Sequence, residues 1–236
     1  MKLNKQYYFI VLYFIGFMCL CQSSMAAIQN YTEAKYTARR IWQEHRETFY
    51  CGCKYNKHGI IDFSSCDFKP KNSRGARYIT WEHVVPVSWY GKSLPCWRGE
   101  GCTKGKRGRQ CCRQKDKKFR QMEADLHNLV PAVEDLNKAR QNYRFTDEIV
   151  RPSQQFPECG MLIDDEYKQV VPPLHRKGMI ARIHLYMSKK YDIPLSKDER
   201  KQFLAWHKQY PPSDWEKKWD QKVAAEQGNR NEFIRY

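Results

Sequence analysis

The chain has no Gly/Ser or Pro tract to mark a linker and no internal period of about 20 to 50 residues, which sets aside tandem domains and repeat arrays. No stop-transfer run follows the first apolar segment, and no toxin-delivery module is visible. Neither Cys51-Gly-Cys53 nor Cys111-Cys112 has the two-residue gap of a zinc knuckle, so disulfides are favoured over zinc. Acidic residues are scarce: 26 Asp and Glu face 42 Lys and Arg, for a net charge of +16. That balance favours a polyanionic partner, although charge alone leaves nucleic acid, anionic lipid and cell-wall polymer open.

What is present begins with an export signal over residues 1–27. Lys2 and Lys5 give the positive start, residues 7–20 the apolar run, and Ser24, Met25, Ala26 and Ala27 a small-residue exit with cleavage expected near Ala27. The run is short for a membrane anchor, which needs about 20 residues. Met18 and Leu20, bulky neighbours of Cys19 and Cys21, argue against lipid attachment. The mature chain, residues 28–236, is expected to be a single soluble domain without a membrane span, secreted or periplasmic, its charge lowered by two lysines from +16 to +14. It keeps eight cysteines, Cys51, Cys53, Cys66, Cys96, Cys102, Cys111, Cys112 and Cys159, an even set that predicts a disulfide framework with about a hundred possible pairings.

Apolar residues at helical spacing predict an amphipathic helix over residues 32–49 with a structural His45 on its stripe, and an irregular disulfide-held stretch over 50–78. A short strand is expected over 77–83, ended by Pro86. Pro131 fits the first turn of a helix whose stripe is Ala132, Val133, Leu136, Ala139 and Tyr143, leaving Asn137, Arg140, Gln141 and Arg144 on a polar side that can face substrate. Residues 180–191 give a further helix, and a capping box at Ser196 starts another that stops at Pro211. Residues 215–236 are expected to wrap the surface. The fold class is α+β, mixed with helix dominant.

The chemistry centres on Glu82-His83. Neighbours in a strand point to opposite faces, so the pair divides its labour rather than sharing one ion. Glu82 supplies an oxygen to a hard divalent cation, and His83, with a pKa near neutrality, takes a proton from attacking water. Asn137 adds a neutral oxygen, which suits Mg²⁺ held mostly by water and phosphate. The loop over 98–120 carries ten Lys and Arg against Glu100 and Asp116; most are expected to meet phosphates or solvent, with one or two catalytic. Such a loop implies slight sequence preference.

Phe49-Tyr-Cys-Gly-Cys53, Trp81-Glu-His-Val-Val-Pro86, Cys96-Trp97, the run from Phe119 through Asp125, His127 and Asn128 to Leu129, Asn137 with Arg140 and Asn142, and Pro172-Pro173 through Met187 resemble the bacterial endonuclease I family of periplasmic and secreted nucleases. The resemblance covers essentially the whole mature chain. It implies a disulfide-stapled domain around a ββα-metal (His-Me finger) core that acts as a monomer. It further implies a sugar-nonspecific endonuclease cutting DNA and RNA to 5′-phosphate ends with one Mg²⁺-type ion, with Mn²⁺ or Ca²⁺ as other candidates. By motif position His83 is the general base, and Glu82 and Asn137 are the metal ligands. Gly108-Arg109-Gln-Cys-Cys112 fits the family's catalytic arginine, with Arg107 the alternative. Arg107, Arg113 and Arg140 are substrate contacts, and Asp125, His127 and Asn128 support the site.

Three departures stand out. The segment from Trp97 to Cys112 is longer than the family's and adds Cys102 and a doubled Cys111-Cys112. Lys217 and Tyr236 replace two family cysteines, as if one disulfide were lost, with the extra loop cysteines available for another. Lys138-Ala139 follows the ligand asparagine where the family often has Gly-Asp. A competing reading, an exported basic nucleic-acid-binding or DNA-capture protein, needs only the charge and aromatics.

Overall fold

The computed structural model describes residues 28–71 and 77–234. The export signal and the terminal Tyr236 therefore lie outside the described residues. The first helix, α1 (Tyr31–Ile41), starts at Asn30, whose side chain accepts from the amides of Thr32 and Glu33, and buries Ala34, Thr37, Ala38 and Ile41. It stops eight residues before Phe49, short of the expected span. After Trp42 the chain turns back on itself, with Thr48 receiving the amide of Cys53 and Glu47 bridging to Lys54. That reversal delivers Cys51 to Cys159 and Cys53 to Cys66.

Strand β1 (Thr80–His83) leads into α2 (Val87–Gly91). The basic segment expected as a loop holds two helices, α3 (Gly108–Lys115) and α4 (Lys117–Glu123). Asp116 caps α4 by accepting from the amide of Phe119 at 2.7 Å, which is why so cationic a stretch can turn helical there. Cys96–Cys112 and Cys102–Cys111 staple α3 to the preceding chain, so the added loop cysteines pair as a fourth disulfide. With its thiols in disulfides, the Cys51, Cys53 and Cys66 cluster is not available as a zinc site.

Pro131 is not in a helix. It lies in β2 (Leu129–Ala132), antiparallel to β1 with Glu82 opposite Val130 and His83 opposite Leu129. A proline is tolerated because the sheet has only two strands, so the missing N–H would have faced outward; the Pro131 carbonyl takes the amide of Phe49. The helix begins later and is shorter, α5 (Glu134–Arg140). Strand, strand and helix then form one compact unit, β1–β2–α5.

A second sheet has the order β3-β6-β5-β4, from β3 (Arg144–Phe145), β4 (Gln154–Phe156), β5 (Met161–Asp164) and β6 (Gln169–Val171). Only β3 and β6 run parallel. Between the sheets and the C-terminal helices lies α6 (Lys177–Tyr191), buried on nearly all sides. Gly178 allows this: a Cβ there would come within 2.2 Å of the Tyr210 carbonyl oxygen. The helix α7 (Lys197–Gln209) opens with the expected capping box of Ser196 and Glu199.

The last segment does not simply wrap the surface. It forms α8 (Asp214–Gln227), which buries Trp219, Val223, Glu216 and Asp220. Its acids can be buried because each has a cation or imidazole partner: Arg182 meets Glu216 at 2.5 Å, and His127 meets Asp220 at 2.9 Å. Among the described residues no helix is long and apolar enough to cross a membrane.

Candidate active site

A cavity of about 360 Å³ opens between β1, the start of α1, α3 and α5, lined by Tyr31, Glu82, His83, Arg109, Asn137 and Arg140. Strand β1 supplies Glu82 and His83 from its end, and α5 brings Asn137 to the same cavity.

Glu82 is 3% exposed. Its Oε1 receives the Tyr50 hydroxyl at 3.0 Å and lies 3.3 Å from the Arg140 guanidinium. Burial pushes its pKa up to about 7, against the opposing pull of Arg140 and Tyr50. A desolvated carboxylate with only partial compensation is stabilised by a divalent cation.

His83 Nε2 is 2.8 Å from the backbone carbonyl oxygen of Glu123. A carbonyl only accepts, so Nε2 carries the ring proton and Nδ1 keeps its lone pair. Burial, with the charge of Arg109 next, lowers the His83 pKa to about 4, and the ring is neutral around pH 7. Tyr31 packs on this ring, with centroids 5.1 Å apart.

The turn after His83 is fixed by two side chains. Asn128 grips Val85 twice, accepting from its amide at 2.7 Å and donating to its carbonyl at 2.9 Å. Arg140 donates to the carbonyls of His83 and Val84, and its guanidinium lies over the Phe145 ring at 4.7 Å. It was expected on a polar side facing substrate; it does line the cavity but is only 1% exposed, because α5 ends directly beneath the end of β1. Asn137 is half-buried, and its side chain makes no hydrogen bond to the described residues. Gln141, which follows, holds φ +51° at the rim of the cavity, a conformation costly for a non-glycine residue.

The two arginines that sequence left as alternatives separate in space. Arg109 lines the cavity with Glu82 and His83, its Nε donates to Glu123, and its Nη2 is buried without a partner among the described residues. Arg107 is exposed and faces a different hollow with Arg98, Lys104 and Lys106. Arg113 pairs with Glu123 through two hydrogen bonds of 2.7 and 2.8 Å, lies over the Tyr31 ring and lines a different hollow from the one holding His83. Glu123 is buried, and although burial alone would raise its pKa, Arg113 and Arg109 together hold it lowered.

Asp125 and His127 lie outside this cavity, fully buried. Asp125 accepts from Tyr186, Lys190 and Tyr191 at 2.8, 2.9 and 2.7 Å, and His127 meets Asp220, so they tie α6 and α8 to the chain before β2. Glu123, Tyr31 and Tyr50 are site residues that the sequence did not single out by role. The motifs containing Tyr50 and Glu123 were signals for them; Tyr31 reaches the site only through tertiary packing.

The family model described as Endonuclease I matches residues 25–236. An extracellular deoxyribonuclease of Aeromonas hydrophila is 42% identical over 211 residues, covering 87% of this chain and 89% of the relative. A periplasmic deoxyribonuclease of the same organism is 40% identical over 87% of this chain and 85% of its own. Endonuclease-1 of Buchnera aphidicola subsp. Acyrthosiphon pisum (strain APS) is 38% identical over 88% of this chain and 81% of its own.

Proposed function

We propose that this chain, which belongs to the endonuclease I family and is a nuclease, is exported and hydrolyses phosphodiester bonds of DNA and RNA within the strand to leave 5′-phosphate ends. The observation that carries the reading is the pairing of a buried carboxylate, Glu82, with a neutral His83 in one cavity beside Asn137 and Arg109. Export is supported by the leader-like first 27 residues, by the disulfides and by relatives named extracellular and periplasmic.

The donors fit a divalent ion of the Mg²⁺ type, with Mn²⁺ or Ca²⁺ as other candidates. Glu82 is an under-compensated buried carboxylate and Asn137 an unengaged carboxamide, both oxygen donors lining one cavity. Glu82 and Asn137 would hold such an ion, which would supply charge neutralisation to the phosphodiester as it is cut.

His83 Nδ1 takes a proton from water, and the hydroxide oxygen bonds to phosphorus. The P–O3′ bond breaks with its electron pair going to O3′, which takes a proton from solvent water, leaving the phosphate on the 5′ side of one fragment and a 3′-hydroxyl on the other; His83 returns its proton to solvent. The Glu123 carbonyl keeps Nε2 protonated and so presents the lone pair of Nδ1. Arg109, anchored by Glu123 through Nε, offers its unpartnered Nη2 to a phosphate oxygen, where charge accumulates as the bond breaks. Arg140 acts from below, holding Glu82 and the carbonyls of His83 and Val84, so its contribution is to position the metal ligand.

Incubating the oxidised protein with plasmid DNA and with RNA, with and without chelator, tests the reading. Strand breaks that require the metal are expected. Salt-sensitive binding without breaks would instead fit a DNA-capture protein.

A further inference from the structure

A larger hollow of about 580 Å³ adjoins the active-site cavity, and Ser88 and Asn142 line both. At their junction the Asn142 amide donates to Ser88 Oγ at 3.3 Å. The floor of the hollow is a rigid platform. Trp89 is fixed by donating its indole N–H to the Asn142 carbonyl at 3.1 Å and by edge contact with the buried His184 ring, 5.6 Å between centroids. The Arg144 guanidinium lies over the Trp89 ring at 4.3 Å and is held from the other direction by an ion pair to Glu199, which also closes the capping box of α7. The Arg144 side chain remains 54% exposed, so the cation is held over the indole with area left for a further layer. On the walls stand Lys92 and Lys168, which form no ion pair with the described residues, and Tyr167, which is 70% exposed.

We propose that this hollow binds a nucleotide of the same substrate strand near the scissile phosphate, with its base stacked on the Arg144–Trp89 platform and its phosphates met by Lys92 and Lys168. The inference rests on the nuclease reading for the identity of the strand. Three physical features support it. The hollow shares the Ser88 and Asn142 wall with the cavity where the phosphate would be cut, its volume is of the order that small-molecule sites use, and guanidinium planes and aromatic rings are the platforms on which unstacked bases settle. A duplex interior does not offer a splayed base, so the site favours single-stranded or frayed nucleic acid.

The test uses the full-length His83→Ala protein in chelator and short single-stranded oligonucleotides carrying 2-aminopurine at one position, moved stepwise along the strand. Fluorescence quenching on binding is expected at one or two neighbouring positions. Arg144→Lys keeps the charge and the pairing with Glu199 but removes the plane; it is expected to abolish that position-specific quenching and to weaken binding about tenfold. The double change Lys92→Ala with Lys168→Ala should keep the quenching while reducing the logarithmic salt slope by about one to two. Quenching that is uniform along the strand, or unchanged by Arg144→Lys in a variant whose melting is normal, would overturn the proposal. Because the readout is binding, it stands apart from cleavage: a parent protein that fails to cut either nucleic acid would refute the nuclease reading without altering this measurement.

Discussion

Glu123 meets His83 through its backbone, its carbonyl oxygen 2.8 Å from Nε2, while its side chain takes Arg109 and Arg113. One residue at the end of α4 therefore sets the tautomer of His83, the proposed base, and the direction of Arg109, the arginine proposed to meet phosphate. The backbone bond survives substitution, whereas the charge that holds two arginines does not. Glu123→Gln keeps one acceptor but loses the charge and is expected to lower turnover about ten- to a hundredfold through looser Arg109 positioning, with the His83 limb of the pH profile moved only downward, because the Glu123 charge raises the His83 pKa. Steady-state cleavage of a labelled oligonucleotide across pH checks this; a His83 limb moved upward, or unchanged turnover, would contradict it.

Arg109 and Arg107 are two residues apart in sequence and face different hollows. Arg109→Ala should cost about a hundredfold or more in turnover, the scale of losing one donor to developing charge. Arg107→Ala should act mainly on affinity and its salt dependence, through lost attraction to the backbone. Parallel kinetics at two salt concentrations separate the effects.

The disulfides Cys96–Cys112 and Cys102–Cys111 end on adjacent residues of α3, one turn beyond Arg109. Replacing Cys102 and Cys111 together by Ser should leave the fold in place and lower both activity and melting temperature. Full reduction of the protein should remove activity nearly completely. Cleavage assays before and after mild reduction, with mass-mapped thiols, follow the two steps.

Glu82 has its pKa raised to about 7 by burial, so at pH 6 the metal-free carboxyl is largely protonated and at pH 8.5 largely ionised. A cation requires the ionised form, so metal binding competes with the proton below about pH 7 and affinity rises as pH increases to that point. Isothermal titration in buffers of different ionisation enthalpy should show about one proton released per ion at pH 6 and close to none at pH 8.5. Equal release at both values would place the cation elsewhere.

Much of this was legible in sequence where local rules act alone. Ser196 with Glu199 announced α7, and apolar spacing announced α6, because capping and period are properties of a short window. Glu82, His83 and Asn137 were singled out together from sequence by the combination of motifs around them, and the fold brings all three to one cavity. Charge misled wherever burial was made possible by a distant partner. Arg140 was expected on a polar side facing substrate and is buried under β1; Glu216 and Asp220 made α8 look like a surface segment, yet Arg182 and His127 bury them. The four-stranded sheet was illegible for another reason. Strands of two to four residues carry too little alternation to register, and Arg144–Phe145 pairs only with a strand far along the chain.

The division of labour within Glu82-His83 is tested most directly by one paired titration: metal binding and single-turnover cleavage of supercoiled DNA, measured on the same preparations of parent, Glu82→Gln and His83→Ala proteins. His83→Ala should bind the metal as the parent does and lose about a hundred- to ten-thousandfold in cleavage, the range for removing a general base, whereas Glu82→Gln should lose both. Metal binding lost in His83→Ala, or cleavage retained there, would contradict the assignment of base and ligand.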